Sequence, residues 1–185
     1  MVCMGTGPSL TQTDVDYCRD KAHVIAVNDA YKLAPWADVL YAADRNWWVW
    51  HKGAPEFSGR RYSIERQPNG YPVQFLKNTG QFGLERDPIG LRTGYNSGYQ
   101  SINLAVHFGA TKILLLGFDM QGRHYFGEHP NRRVPPFELC LNAFTTLIDP
   151  LREAGVSVLN CTPGSAITCF PRAVLRDVLQ AEVAA

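Results

Sequence analysis

The chain alternates short segments that are apolar on both faces with stretches of helical spacing, and this alternation limits its fold more than any other feature. A strand that is apolar on both faces is typical of a parallel sheet covered by helices on both sides. The sequence therefore predicts an α/β fold, a Rossmann-like open and mostly parallel sheet in one nucleotide-binding domain over 1–185. The predicted strands are 2–4, 24–27, 39–42, 62–64, 112–116 and 156–159.

Helical spacing fills most of the intervals between these strands. Ser97 and Gln100 have the spacing of a capping box, which marks a helix start. Residues 65–95 and 120–136 lack clear periodicity and are predicted to be irregular excursions, which in a compact domain are commonly functional. The predicted helices are 11–21, 45–51, 97–109, 137–154 and 171–182.

The composition narrows the class of protein. A net charge of +1 over 185 residues does not favour general binding of polyanions. The chain has five cysteines, an odd number, and no C-x-x-C pair, so we expect the cysteines to be reduced thiols in the core. No cationic, apolar leader and no apolar run of about 18 residues occurs, so we expect a cytoplasmic protein without a membrane partner.

The first strand runs directly into the turn Gly5-Thr6-Gly7-Pro8-Ser9, which precedes a predicted helix. A glycine turn between a strand and a helix favours an anion, because backbone N–H groups and the positive end of the helix dipole point to one spot. Gly5 and Gly7 allow close approach, Pro8 stiffens the turn, and Thr6 and Ser9 add hydroxyl donors. The turn is therefore predicted to hold a phosphate, although many such turns only link a strand to a helix.

Polar residues also follow the other predicted strands. In open parallel sheets the ligand crevice lies beyond the carboxyl ends of the strands. We therefore predict a crevice for a polar, phosphorylated ligand, while simpler roles remain open: Asn28 as a turn former, Asp44 as a helix cap and Asp119 as a turn residue. The residues predicted at the crevice are Asn28, Asp44, Asn96, Ser97, Gly98, Asp119 and Ser165.

Two histidines lie in the polar excursion that follows Asp119. His124 and His129 are close in sequence to the predicted crevice. A neutral imidazole there can act as a general base. The sequence predicts that His129 has this role, with His124 as the competing choice.

The order and spacing of these motifs resemble a known superfamily. The chain resembles the bacterial sialyltransferases that use CMP-sialic acid and the related 6-hydroxymethylpterin diphosphokinase-like group, and is most similar to small bacteriophage members of that group. The resemblance implies the predicted fold and a nucleotide crevice. The segments that carry the resemblance are Gly5–Leu10, Asn28, Asn96–Gly98, Gly117–Asp119 and Asn160–Ser165.

The resemblance also implies roles for particular residues. In those sialyltransferases two tyrosines after the Gly-x-Asp strand stabilise the leaving phosphate, and a later histidine is the base. The first tyrosine position is Gln121 in this chain, which departs from the family pattern, and the second corresponds to Tyr125. The base corresponds to His129 or His124. The residues that the resemblance places on the nucleotide are Gly5, Thr6, Gly7, Ser9, Asn28, Ser97 and Gly98.

Three hypotheses follow for the function. The first is a glycosyltransferase that uses a nucleotide-activated sugar without a bound metal, with Arg92 or Arg132 meeting the leaving-group charge. The second is a diphosphokinase in which Asp44 and Asp119 hold Mg²⁺ against ATP phosphates. The third is a nucleotide-binding phage accessory protein without catalysis. The acceptor is left open among a glycan, a small metabolite and modified DNA, and an oligomer is equally left open.

Overall fold

The fold is built on a parallel sheet, as the apolar strands predict. The computed structural model describes residues 1–64, 70–127 and 136–183. The strands are β1 (Val2–Met4), β2 (Val24–Val27), β3 (Val39–Tyr41), β4 (Arg60–Ser63), β5 (Gln74–Phe75), β6 (Lys77–Gly80), β7 (Gly90–Arg92), β8 (Lys112–Leu116) and β9 (Ser157–Asn160). The helices are α1 (Gln12–Cys18), α2 (Arg45–Trp50), α3 (Ser97–His107), α4 (Phe137–Thr145), α5 (Ile148–Glu153) and α6 (Leu175–Val183), with a 3₁₀ turn at Asn28–Lys32.

Seven strands form one sheet in the order β5-β4-β3-β2-β1-β8-β9, and β6 and β7 form a separate pair. Every strand pairing in both sheets is parallel. The chain therefore builds the sheet outward from β1 on one side and then returns to build from β8 on the other. The predicted α/β, Rossmann-like class is confirmed.

Alternate residues of each central strand enter two different cores. In β1, Val2 and Met4 belong to the core that also contains Val15 of α1, whereas Cys3 belongs to the core that contains Ile102 of α3. Helices α1, α2 and α6 contribute to the first core, and α3, α4 and α5 contribute to the second. Both faces of the sheet are thus covered, which explains why its central strands are apolar at every position except Lys112, at the start of β8.

Several predicted elements differ from those observed. The single helix predicted over 137–154 is two helices, α4 and α5, because Pro150 has no N–H to donate to the carbonyl of Thr146. The closing helix begins at Leu175 rather than at residue 171. The excursion predicted over 65–95 contains the short strands β5, β6 and β7, of which β5 is exposed at both residues.

All five cysteine thiols are free, and four of them are buried. Burial raises the pKa of the Cys3 thiol to about 12, so this side chain packs as a small apolar group. Within the described ranges, no helix combines the length and the apolar character needed to cross a bilayer.

Candidate functional site

A cavity of about 460 Å³ opens at the carboxyl edge of the main sheet. It lies where the strand order reverses, because the ends of the neighbouring strands β1 and β8 both line it. Ligands of open α/β sheets bind at such a switch point. The structure brings these predicted residues together around the cavity: Gly5, Thr6, Gly7, Asn28, Asp44, Asn96, Ser97, Gly98, Asp119 and His124.

The glycine turn is packed against the neighbouring strand end. The N–H groups of Gly5 and Gly7 donate to the carbonyl oxygens of Leu116 and Gly117, each over 2.8 Å. A Cβ atom on Gly5 would lie 2.5 Å from the Gly117 oxygen. These two N–H groups are therefore not available to a phosphate, because close contact between the two strand ends uses them.

The Asp119 carboxylate binds the hydrogen-bond donors of Ser9, which belongs to the same turn. Asp119 accepts hydrogen bonds from the Ser9 N–H over 3.2 Å and from the Ser9 hydroxyl over 2.8 Å. A Cβ atom on Gly7 would lie 1.8 Å from Asp119 Oδ2. Burial raises the pKa of Asp119 above its ordinary value, and the Ser9 hydrogen bonds offset only part of that effect. Asp119 thus holds the anion position that the sequence assigns to a phosphate.

Other polar groups of the cavity remain available. The Thr6 N–H, the Ser97 N–H and the Ser97 hydroxyl have no hydrogen-bond partner in the described part of the chain. The Asn28 Oδ1 atom is buried and likewise has no partner there. Asp44 stands at the N-cap of α2, yet its side chain makes no capping hydrogen bond. The cavity therefore offers both donors and acceptors to a polar ligand.

The start of α3 differs from the predicted capping box. Asn96, rather than Ser97, is the N-cap residue, and its Oδ1 accepts the N–H groups of Gly98 over 2.8 Å and Tyr99 over 3.2 Å. Gln100 instead donates its side-chain amide to the Thr93 carbonyl over 2.7 Å. Because Asn96 caps the helix, the Ser97 hydroxyl is left for the cavity.

This division of roles gives a first prediction. We expect Ser97→Ala to change the free energy of unfolding by less than about 0.5 kcal/mol, since no capping hydrogen bond is lost. We expect Asn96→Ala to lower it by about 1 kcal/mol, as for other N-cap residues. Chemical denaturation of the two variants measures both values. Equal destabilisation would show that Ser97 also supports the helix.

His124 lies on the cavity wall, and Tyr125 does not. The Nδ1 atom of His124 is 2.8 Å from the Thr6 hydroxyl oxygen, and its ring stacks on Phe126 with centroids 4.9 Å apart. The Tyr125 hydroxyl donates to the Asp29 carbonyl over 2.7 Å, away from the cavity. Burial and the Asp29 charge raise the pKa of Tyr125 to about 12. The structure thus gives Tyr125 a packing position, and His129 lies outside the described residues.

Several other predicted residues are not brought to the cavity. Ser165 is buried, and its hydroxyl donates to the Phe118 carbonyl over 2.6 Å, so it fixes the loop after β9. Pro8 and Ser9 do not line the cavity, and Pro8 is exposed.

Arg92 pairs with Glu85 over 3.3 Å, outside the lining, so it is not the expected cation. Gln121 and Arg123 do line the cavity, whereas Arg132 is among the residues that are not described.

A buried carboxylate, Asp29, links the end of β2 to α2 beside the cavity. The Asp29 carboxylate, next to Asn28, accepts from the Trp47 indole over 2.9 Å and lies 3.0 Å from His51 Nε2 and 2.5 Å from Lys32 Nζ. Burial alone would raise the pKa of Asp29, but these donors outweigh it and hold the pKa well below its usual range. The cluster therefore fixes the end of β2 against α2.

Acid should weaken this contact. Because the pKa of Asp29 is lower in the folded protein, its stabilisation is present above the ordinary pKa near 4 and is lost as pH falls below that value. We expect Asp29→Asn to remove about 1–3 kcal/mol of the pH dependence of unfolding between pH 6 and pH 3. Urea unfolding at a series of pH values measures it, with the exposed Asp20→Asn as control. An unchanged pH slope would contradict the assigned ion cluster.

Backbone strain is concentrated at the cavity. Asn28, Tyr95 and Met120 line it with φ angles of 50°, 59° and 52°. Asparagine tolerates this left-handed region, but tyrosine and methionine rarely adopt it. Such strain clusters at functional sites because the surrounding structure must impose it. Tyr95, Met120 and Phe137 were not predicted from the sequence, where only the proximity of Tyr95 to Asn96 could have indicated a role.

The fold and the cavity together define an open α/β protein with a partly polar cavity at the topological switch point. Comparison of the chain with protein-family models, curated proteins and solved structures finds no match. The functional assignment therefore depends on the chemistry of the cavity and on the motif resemblance described above.

Proposed function

We propose that the protein is a nucleotide-dependent transferase that moves a glycosyl group from a nucleotide-activated sugar. The observation that carries this proposal is the convergence of the ends of β1, β2, β3 and β8 and the start of α3 on one cavity at the switch point. A ligand with phosphate, ribose and base needs donors, acceptors and apolar surface within one cleft. This cavity combines all three.

The donor phosphate is assigned to the unpaired donors of the cavity. The Thr6 N–H, the Ser97 N–H and the Ser97 hydroxyl provide hydrogen bonds, and Arg123 adds a positive charge to the same lining. The N-terminal end of α3 favours negative charge. Asn28 Oδ1, which lacks a partner in the described chain, accepts from a ribose hydroxyl or a base amine. This placement leaves the Ser9 donors to Asp119.

The proposed reaction is a displacement at the anomeric carbon of the donor sugar. The acceptor oxygen forms a bond to that carbon while the bond from the carbon to the phosphate oxygen breaks. The bonding electrons leave on the nucleotide phosphate, and the acceptor proton passes to His124 or His129. Asp119 faces the carbon that gains positive charge, which its carboxylate stabilises.

One observation favours the diphosphokinase as a second candidate. Asp44 and Asp119 line the same cavity, and the Asp44 side chain has no hydrogen-bond partner in the described residues. Two carboxylates and a phosphate suit Mg²⁺, a hard cation that prefers oxygen ligands. Bound there, the ion would neutralise charge on the ATP phosphates, while the two aspartates hold it in place.

The acceptor, the compartment and the assembly state belong to the proposal as well. We propose a cytoplasmic protein, acting in the host cytoplasm if it is phage-encoded, with a glycan, a small metabolite or modified DNA as acceptor. Arg123 belongs to the basic segment 123–133 and lines the cavity, and a DNA acceptor would need this segment. An oligomer is compatible with the proposal. The third hypothesis, nucleotide binding without catalysis, differs from it only in turnover.

A thermal-shift screen tests the proposal directly. Nucleoside mono- and triphosphates and nucleotide sugars are each added with EDTA or with Mg²⁺. A ligand at 100 times its dissociation constant raises stability by about 2.7 kcal/mol, which is readily measured. Stabilisation by a nucleotide sugar in EDTA supports the glycosyltransferase. Stabilisation by ATP only with Mg²⁺ supports the diphosphokinase, and no response to any nucleotide contradicts both.

A further inference from the structure

Tyr95 is an exposed aromatic residue at the cavity. Its side chain lines the cavity and is 44% exposed. Its hydroxyl has no hydrogen-bond partner within the described ranges. The ring therefore contributes little to the cores of the fold, and its position needs another explanation.

The backbone around Tyr95 is held in a costly conformation. Gly94 and Tyr95 adopt φ angles of 51° and 59° in succession. The Gly94 N–H donates to the Gln81 carbonyl over 2.8 Å, and the Asn96 N–H donates to the Thr93 carbonyl over 3.1 Å. A left-handed conformation disfavours any residue with a large side chain, whereas glycine or asparagine adopts it readily. A tyrosine therefore stands at a position where glycine or asparagine would adopt the backbone conformation with less strain.

A second aromatic residue supports the Tyr95 ring. Phe82 contacts it edge to face, with centroids 5.8 Å apart and an interplanar angle of 66°. Phe82 is itself 47% exposed. The following residue, Gly83, is anchored because its N–H donates to the Thr146 hydroxyl over 3.1 Å. The Phe82 ring therefore supports the Tyr95 ring from outside the cavity lining.

Tyr95 lies two residues before Ser97, whose N–H and hydroxyl are the proposed phosphate donors. Because Tyr95 and Ser97 line the same cavity, a nucleotide with its phosphate at Ser97 can place its base against the Tyr95 ring. Bases stack on tyrosine because both present flat π surfaces, and such stacking tolerates different bases.

We propose that Tyr95 is the stacking residue for the heterocyclic base of the bound nucleotide. This inference rests on the proposed function, because it requires a nucleotide in the cavity. It gives the strained tyrosine a role: the strain lowers stability, and the ring contributes binding. Phe82 positions the ring and does not itself line the cavity.

The test compares Tyr95→Asn and Tyr95→Phe with the wild type. We expect Tyr95→Asn to raise the melting temperature, since asparagine tolerates the left-handed backbone. Its affinity for nucleoside monophosphates should fall roughly 5- to 150-fold, while its affinity for ribose 5-phosphate, which has no base, should stay the same. Tyr95→Phe keeps the ring and should bind like the wild type.

Lys52→Asn is the matched control. Lys52 has a φ angle of 50° and lies outside the cavity lining, so this variant should gain stability without a change in affinity. Unchanged nucleoside monophosphate affinity in Tyr95→Asn would overturn the inference, and so would an equal loss for ribose 5-phosphate. If the wild type binds ribose 5-phosphate but gains nothing from the base, the stacking role alone fails. If it binds neither ligand, the proposed function fails with it.

Discussion

Gly7→Val is expected both to destabilise the protein and to weaken nucleotide binding. A Cβ atom at position 7 would lie 1.8 Å from the side-chain atom Asp119 Oδ2. It would also lie 2.7 Å from the backbone oxygen of Gly117, which cannot rotate away. The strand ends of β1 and β8 must therefore move apart. We expect the free energy of unfolding to fall by about 3 kcal/mol. Nucleotide affinity should fall roughly 100-fold, because those strand ends line the cavity.

Denaturation and calorimetric titration measure the two effects on the same sample. Gly155→Ala is the control, because Gly155 has a φ of 68° and open space around its Cβ position. That variant should lose about 1–2 kcal/mol from backbone strain and keep full affinity. A Gly7→Val protein with wild-type stability would contradict the packing of the two strand ends. A sequence interpretation of Gly7 as a ligand contact alone predicts that the fold is unaffected, and the structure disagrees.

Asp119→Asn is expected to separate stability, binding and turnover. Because burial raises the pKa of Asp119, the folded protein binds this proton more tightly than the unfolded chain does. The ionised carboxylate therefore lowers the free energy of unfolding once pH exceeds its ordinary pKa near 4. Asparagine can keep both contacts with Ser9 and carries no charge. The melting temperature at pH 7 should therefore rise.

The same substitution distinguishes the two catalytic hypotheses. If the phosphate binds without metal, removing a nearby negative charge should tighten nucleotide binding by about tenfold or more in EDTA. Turnover should nevertheless fall by roughly 10²- to 10⁴-fold, because the charge that stabilises the transition state is lost. If Asp119 holds Mg²⁺, binding should weaken in the presence of Mg²⁺. Unchanged affinity under both conditions would show that Asp119 does not face the phosphate.

The fold was largely predictable because a strand that is buried on both faces is a short run of apolar residues in the sequence. Residues 113–116 are apolar throughout, and they form most of the strand β8 next to β1. The elements that were not predicted have no such apolar run. Strand β5 is exposed, and β6 pairs with β7 away from the main sheet. In the sequence, only Pro150 indicates the break between α4 and α5. Because a helix tolerates proline in its first turn, Pro150 alone does not fix where one helix ends and the next begins.

The candidate site was predictable in outline and not in its internal contacts. Asn28, Asp44 and Asp119 meet at the cavity because the carboxyl ends of parallel strands share one edge of the sheet. The pairing of Asp119 with Ser9 could not be predicted, since it depends on the exact distance between two loops. The position of Tyr95 likewise depends on a left-handed backbone that the residue itself disfavours.

The central claim is that a nucleotide binds in the cavity at the switch point. Calorimetric titration of nucleoside monophosphates into the wild type, Ser97→Trp and Ser58→Trp tests it most directly. Ser97 lines the cavity, whereas Ser58 is exposed and lies outside the lining, so the two tryptophans differ mainly in place. The account predicts one binding site in the wild type and in Ser58→Trp, and none in a folded Ser97→Trp. Equal binding by all three proteins, or no binding by the wild type, would contradict it.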